Sequence, residues 1–86
     1  MDRYKVEILV SAQKELLSIP FPLRRQVNHA IVALQRDPRP GGWEALGGAG
    51  RARLRVFDSR ILYRIDDAYR RVVVFAVRGP APAVRP

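Results

Sequence analysis

The chain has 86 residues, 48% of them hydrophobic and 28% charged, a composition typical of one soluble globular domain. It has no cysteine and one histidine, His29, which excludes disulfides, thiol nucleophiles and a multi-histidine metal site. The core of so short a chain leaves little room for a deep cofactor cavity, so neither a metal nor a cofactor is expected. The formal net charge is +8, and the longest apolar run, Val72–Val77, falls far short of the roughly 20 residues that span a bilayer, so we expect a cytoplasmic protein without membrane contact.

The first half of the chain predicts a strand and two helices. Alternating β-branched residues predict a strand over Tyr4–Val10. Ser11 is the expected N-cap of a short helix, Ala12–Ser18. Pro22 fits the first turn of a second helix, which ends before Asp37-Pro38. One face of this second helix carries an apolar stripe at helical spacing, formed by Leu23, Val27, Ala30, Ile31 and Leu34.

The second half predicts a loop followed by three strands. The Pro- and Gly-rich segment Asp37–Gly50 is a loop that Trp43 and Leu46 pin to the core. Asp58-Ser59 is the expected turn between the first two strands, and Asp67–Arg70 the turn before the third. The three strands are Arg51–Phe57, Arg60–Asp66 and Val72–Arg78, and residues 79–86 form a proline-rich tail. The predicted fold is one α+β domain over residues 1–86, ordered β-α-α-β-β-β, with a helical hairpin on one face of a small, mainly antiparallel, four-stranded sheet.

Strand geometry predicts a basic face in this second half. Residues 51–86 hold nine of the 16 basic residues and three of the eight acidic ones. A two-residue turn at Asp58-Ser59 pairs Phe57 with Arg60 and sets Arg53 opposite Arg64, a destabilising like-charge pair. Such a cluster of arginines indicates a phosphate-binding surface. The alternative interpretation is a solvated sheet face on which long arginine side chains cover apolar stems. The arginines on this face are Arg51, Arg53, Arg55, Arg60 and Arg64.

Other candidate sites are weak. Gly47-Gly48-Ala49-Gly50 has no following Lys-Ser/Thr and precedes a strand, so it is not a phosphate-binding loop. Asp66-Asp67 fits a turn better than a metal pair, since adjacent side chains point in different directions. We expect Tyr63 in the core and His29 on the surface.

The order of elements and several motifs resemble the RelE/ParE superfamily of toxins from bacterial toxin–antitoxin pairs. The resemblance runs nearly end to end. Its strongest part is an Arg-Leu-Arg strand, a short turn and an Arg-Ile-Leu-Tyr-Arg-Ile strand. The motifs that carry it are Tyr4-Lys5-Val6, Ala12-Gln13-Lys14-Glu15-Leu16, Ile19-Pro20, Ala30-Ile31 with Leu34, Asp37-Pro38-Arg39-Pro40-Gly41, Leu46-Gly47-Gly48 and residues 53–67.

The resemblance implies a function and partners. RelE-type members cleave mRNA in the ribosomal A site without a metal, by attack of the RNA 2′-hydroxyl on the adjacent phosphate. ParE-type members share the fold and inhibit DNA gyrase. An antitoxin segment neutralises both types. We therefore expect a RelE-like endoribonuclease with a cognate antitoxin, the ribosome and mRNA as partners. The alternatives are a gyrase inhibitor and a catalytically decayed homologue.

The resemblance also suggests site residues. The basic positions of the RelE type correspond to Arg51, Arg53 and Arg60, which are the expected catalytic residues. The C-terminus departs from the pattern, because Gly79-Pro80 stands where many RelE-type toxins have His-Arg, and Val84 stands where they have Tyr. Arginine cannot readily act as a general base, so the proton acceptor is left open. The remaining expected phosphate-binding residues are Arg55, Arg64, Arg78 and Arg85.

Overall fold

One strand, two helices and four further strands follow each other along the chain and build a single sheet with both helices against it. The computed structural model describes residues 3–80. The strands are β1 (Lys5–Ile8), β2 (Trp43–Ala45), β3 (Arg51–Val56), β4 (Ser59–Asp66) and β5 (Arg71–Arg78), and the helices are α1 (Val10–Leu17) and α2 (Phe21–Ala33).

The sheet has the order β1-β5-β4-β3-β2, with β1 parallel to β5 and all other neighbours antiparallel. This confirms the α+β class with a helical hairpin and a mainly antiparallel sheet. The predicted strand count was too low by one, because β2 lies inside the segment that was expected to be a loop. Three residues are too few to show strand alternation, and pairing with β3 is what makes Trp43–Ala45 extended.

The hydrophobic core lies between the helices and one face of the sheet. The helical side contributes Ala12 and Leu16 from α1, and Val27 and Ile31 from α2. The sheet contributes alternate residues of β3 and β4, as the two-residue strand period requires, together with three residues of β5. These buried sheet residues are Ala52, Leu54, Ile61, Tyr63, Ile65, Val72, Val74 and Val77.

Tyr63 has the core position that the sequence predicts. It is fully buried, and its hydroxyl donates a 2.7 Å hydrogen bond to the Pro38 carbonyl oxygen. Burial raises the pKa of its phenol to about 12. Trp43 packs against the same core and holds the 37–50 segment to it, as expected.

The boundary between β1 and α1 differs from the prediction. The strand ends at Ile8 rather than Val10, and α1 begins at Val10 with the extended residue Leu9 (φ −63°, ψ 151°) as N-cap. Ser11 was wrongly predicted as the N-cap, because it already lies in the first helical turn. The second helix starts near Pro22, as predicted, and ends at Ala33.

The hairpin between β3 and β4 has a different register from the predicted one. Val56 faces Ser59, so the two turn residues are Phe57 and Asp58 rather than Asp58 and Ser59. Phe57 has φ +54°, a conformation uncommon outside glycine, which is why turn propensity misplaced the turn. The shift is two residues, an even number, and every side chain therefore keeps its predicted face. The predicted opposition of Arg53 and Arg64 is wrong.

A β-bulge separates the two halves of the β4–β5 ladder. Leu62 faces Ala76 and Tyr63 faces Val74, so Phe75 has no partner on β4.

No helix within residues 3–80 is long and apolar enough to cross a membrane. Of the predicted tail, Gly79 and Pro80 are described, and Val84 and Arg85 lie outside the described residues.

Candidate nucleic-acid interface

The side of the sheet opposite the helices is rich in arginine. We call this side of β3, β4 and β5 the open face. Side chains alternate along each strand, so every second residue of these strands points to it, except at the β-bulge of β5. Its arginines are Arg51, Arg53, Arg55, Arg60, Arg64, Arg71 and Arg78.

Three of these arginines form a line across the strands, which we call the arginine row: Arg55, Arg60 and Arg78. Arg60 stands directly opposite Arg55 on one side and Arg78 on the other. Neighbouring strands lie about 4.8 Å apart, so the three Cα atoms span about 10 Å. Within residues 3–80, neither Arg55 nor Arg60 forms an ion pair or a side-chain hydrogen bond. The row therefore concentrates positive charge that the described part of the protein does not neutralise at these two positions.

Glu15 of α1 holds the end of the arginine row in place. Its Oε1 accepts a 2.9 Å hydrogen bond from the backbone N–H of Val77, and its Oε2 accepts one from the Arg78 guanidinium. A cleft of about 470 Å³ opens beside this carboxylate, against Ile19 and Gly79. Sequence reasoning missed Glu15, since 63 residues separate it from Arg78 and no local pattern connects them.

Arg51 and Arg64 form a second like-charge pair on the open face. They stand opposite each other in the ladder, both are exposed, and neither forms an ion pair within the described 3–80 segment. Arg51 lies four residues along β3 from Arg55, or about 13 Å at 3.3 Å per residue. This pair is therefore separate from the arginine row.

Arg53 differs from its neighbours because it is neutralised. Its Nη2 and Nε lie 2.7 and 3.1 Å from Oε1 of Glu44, which faces it on β2. Opposite charges in facing positions stabilise a sheet modestly, and this pair is partly exposed. The three expected catalytic residues thus share a face without meeting at a point: Arg60 is in the row, Arg53 is paired, and Arg51 is further along.

A contrasting arginine, Arg39, belongs to a network outside the open face. Its guanidinium donates two hydrogen bonds to Asp67, at 3.2 and 2.8 Å, and the Tyr4 hydroxyl donates a third at 2.5 Å. The hydrogen bonds from Arg39 are the main cause that lowers the pKa of Asp67 to about 2, and the one from Tyr4 adds to it. The hydrogen bond to Asp67 also raises the pKa of Tyr4 above its ordinary value.

The other titratable residues considered in the sequence lie away from the arginine row. His29 is exposed on α2, as predicted. Asp66 accepts a 3.1 Å hydrogen bond from the Tyr69 backbone within the β4–β5 turn, while Asp67 is held by Arg39, so the two carboxylates have different partners. Within residues 3–80 there is no cluster of three or more histidine and acidic side chains that could hold a metal ion.

The open face is suited to binding phosphate groups. Guanidinium groups are planar, stay charged, and present donors that match pairs of phosphate oxygens. Several of them on one surface also stabilise the extra negative charge of a pentavalent phosphorus transition state.

Comparison with solved structures gives relatives of this architecture. A chain of the toxin–antitoxin complex RelBE2 from Mycobacterium tuberculosis is 29% identical, with a TM-score of 0.78 over 90% of this chain and 98% of that one. A chain of the archaeal RelE–RelB complex from Pyrococcus horikoshii is 24% identical, with a TM-score of 0.82 over 96% of this chain and 100% of that one. A YoeB/ParE toxin from Agrobacterium tumefaciens is 24% identical, with a TM-score of 0.72 over 90% of this chain and 99% of that one. No protein-family profile and no curated protein sequence matches the chain.

Proposed function

We propose that this chain, a member of the RelE/ParE superfamily, is a RelE-like toxin that inhibits translation by cutting mRNA on the ribosome and is neutralised by a cognate antitoxin. The observation that carries the proposal is the arginine row, whose Arg55 and Arg60 have no counter-charge within residues 3–80. Two facing like charges destabilise a sheet by about 0.2–1 kcal/mol, so the facing pair Arg55 and Arg60, which no carboxylate compensates within residues 3–80, supports a surface arranged for a polyanion.

In the proposed reaction, the arginine row binds the scissile phosphate of the RNA. The 2′-oxygen forms a bond to phosphorus and the bond from phosphorus to the 5′-oxygen breaks, which leaves a 2′,3′-cyclic phosphate and a free 5′-hydroxyl. The 2′-hydroxyl proton passes to water, and the departing 5′-oxygen takes a proton from water. Arg60, at the centre of the row, stabilises the charge that builds up on the phosphate oxygens in the transition state.

The arginines supply charge rather than proton transfer. Arginine remains protonated in proteins, so no residue of the row takes the 2′-hydroxyl proton itself. A positioned acid or base typically contributes about 10²–10⁴ in rate, and we expect cleavage to be slower than in a site that has one. Arg51 and Arg64 extend the same face and would hold neighbouring parts of the RNA. Arg53, whose charge Glu44 already balances, is expected to contribute less.

An antitoxin partner is supported by the same surface. The net charge of +8 favours association with an acidic chain, and similar solved structures are toxin–antitoxin complexes. An antitoxin segment with acidic side chains over the open face would block access of RNA to the arginine row.

One observation favours a second candidate function, inhibition of DNA gyrase in the manner of ParE-type toxins. Gly79 and Pro80 follow Arg78 directly, in the place where many RelE-type toxins have a histidine and an arginine. A protein that acts by binding needs no proton-transfer group there.

Induction of the gene in a bacterial host separates these functions. The proposal predicts rapid translation arrest with transcripts cut at ribosomes, and loss of both in Arg60→Ala. Arg25→Ala is the matched control, since Arg25 is an exposed arginine on α2, away from the open face. DNA-damage signalling with filamentation would instead support the gyrase inhibitor, and normal growth would support a decayed homologue. Unchanged cleavage by Arg60→Ala would refute the role of the row.

A further inference from the structure

A groove of about 340 Å³ on the open face is not explained by phosphate binding. Leu9, Arg51, Arg64, Val73 and Phe75 line it. Val73 and Phe75 are half-buried in the sheet, while the two arginines are exposed. The groove therefore combines apolar side chains with cationic ones, whereas the arginine row consists of cationic side chains only.

The β-bulge gives Phe75 its place in this groove. Because Leu62 pairs with Ala76 and Tyr63 with Val74, the bulge inserts Phe75 as an extra residue on β5. A bulge changes the direction of a side chain and is common beside active sites. The core is filled by Val74 and Val77 on either side of it, and the Phe75 ring lines the open-face groove instead.

The pair Arg51 and Arg64 indicates the chemistry of a ligand that would fit the groove. The two residues face each other across the ladder, and no carboxylate lines the groove among the described residues. Guanidinium planes stack on aromatic rings as well as attracting anions. A flat aromatic group attached to a negatively charged chain satisfies both the apolar side chains and the arginines. A nucleobase in a single-stranded RNA has this character, and base stacking on aromatic side chains is a common mode of single-strand recognition.

We propose that the groove binds one nucleobase of an RNA strand whose phosphates lie on the arginine row. The proposal rests on the proposed function, to which it adds a base-binding subsite. Arg64 and Arg60 are four residues apart on β4, about 13 Å, so one extended strand reaches both. Phe75 supplies the stacking surface and Arg51 and Arg64 flank the base.

The test compares two labelled probes by fluorescence anisotropy. One is a single-stranded RNA pentamer, and the other is the same ribose–phosphate backbone without bases, so that both carry equal charge. We expect the wild-type protein to bind the complete RNA about 5- to 150-fold more tightly, the range expected for stacking of one base. In Phe75→Leu, which keeps an apolar side chain, this ratio falls toward one, and Phe75→Trp restores it.

Control variants separate base binding from charge and from folding. Tyr69→Leu removes an exposed aromatic ring from the β4–β5 turn and keeps the wild-type ratio. Arg60→Gln weakens binding of both probes equally, because it acts on the backbone. Unfolding midpoints equal to wild type show that each variant is folded.

Several results would overturn the proposal. A ratio near one in the wild-type protein, or an unchanged ratio in Phe75→Leu, excludes the base subsite. Binding of a synthetic peptide of alternating leucine and glutamate that depends on Phe75, without base-dependent RNA binding, assigns the groove to a protein partner. Cleavage of mRNA on ribosomes is measured in parallel. Base-dependent binding without cleavage rejects the nuclease function and keeps the base subsite. Cleavage without base-dependent binding rejects the base subsite and keeps the nuclease function.

Discussion

The two faces of the β3–β5 sheet are built from the same strands and have opposite character. On the face toward the helices, residues such as Tyr63 and Ile61 are fully buried, and the Tyr63 hydroxyl has a partner. On the open face, Arg55 and Arg60 stand side by side without a counter-charge among residues 3–80. The face toward the helices therefore provides most of the stability, while the open face retains unfavourable charge contacts that a ligand can relieve.

The largest expected effect is on the buried face. Tyr63→Ala should lower the free energy of unfolding by about 3–5 kcal/mol, as for other large aromatic truncations in a core. Urea denaturation measures it. Leu62→Ala, at the neighbouring position on the open face, should cost far less. Equal losses for the two variants would contradict the division between the faces.

A smaller effect of opposite sign is expected at Ser59. Its side chain is fully buried, and its Oγ has no hydrogen-bond partner in the described structure. A buried hydroxyl without a partner is destabilising, so Ser59→Ala should raise the free energy of unfolding by about 1 kcal/mol. Ser18→Ala, at an exposed position, serves as the comparison. A loss of stability in Ser59→Ala would show that the hydroxyl is satisfied.

The open face should show stability and binding moving in opposite directions. Arg55→Glu places an acidic group opposite Arg60, and this should raise the free energy of unfolding by about 0.2–1 kcal/mol. The same change should weaken RNA binding through loss of phosphate contact. Denaturation and anisotropy measure the two effects, with Arg25→Glu on α2 as control. Tighter RNA binding by Arg55→Glu would reject the arginine row as a phosphate site.

The smallest effect concerns an arginine that is already paired, Arg39. Because the pKa of Asp67 is lowered to about 2, its folded-state pKa lies below the unfolded value near 4. The ionised carboxylate therefore adds stability that is fully present above pH 4 and is lost as pH falls toward 2. Asp67→Asn should make the decline of the unfolding midpoint between pH 4 and pH 2 shallower. High salt should reduce this difference, since the pair is exposed. Identical pH dependence of the unfolding midpoint in the wild type and Asp67→Asn would contradict a stabilising role for the Asp67 carboxylate.

Much of the fold could be predicted from local patterns. Residues close together in the chain are enough to predict the apolar stripe of α2, the place of Pro22 in its first turn, and the alternation in β3 and β4. The alternation of β3 also placed the arginines on one face correctly, although the predicted turn was displaced. That prediction survived because an even shift in register leaves each side chain on its face.

Contacts between distant residues could not be predicted in this way. Nothing near Glu15 indicates that it bonds Val77 and Arg78, and nothing in the 37–50 segment indicates that Glu44 faces Arg53. The Phe75 bulge is likewise a property of how β4 and β5 fit together. These contacts decide which arginines are paired and which are available.

The kinds of element and the alternation of faces follow from local sequence, because helix and strand periodicity depend on neighbours in the chain. The excess of positive charge follows from composition alone. Tertiary contacts, by contrast, place Arg55, Arg60 and Arg78 in one row, neutralise Arg53 and bring Phe75 to the lining of a groove. The reason is that strand register and helix docking set distances between residues far apart in the chain, and charge interactions depend on those distances.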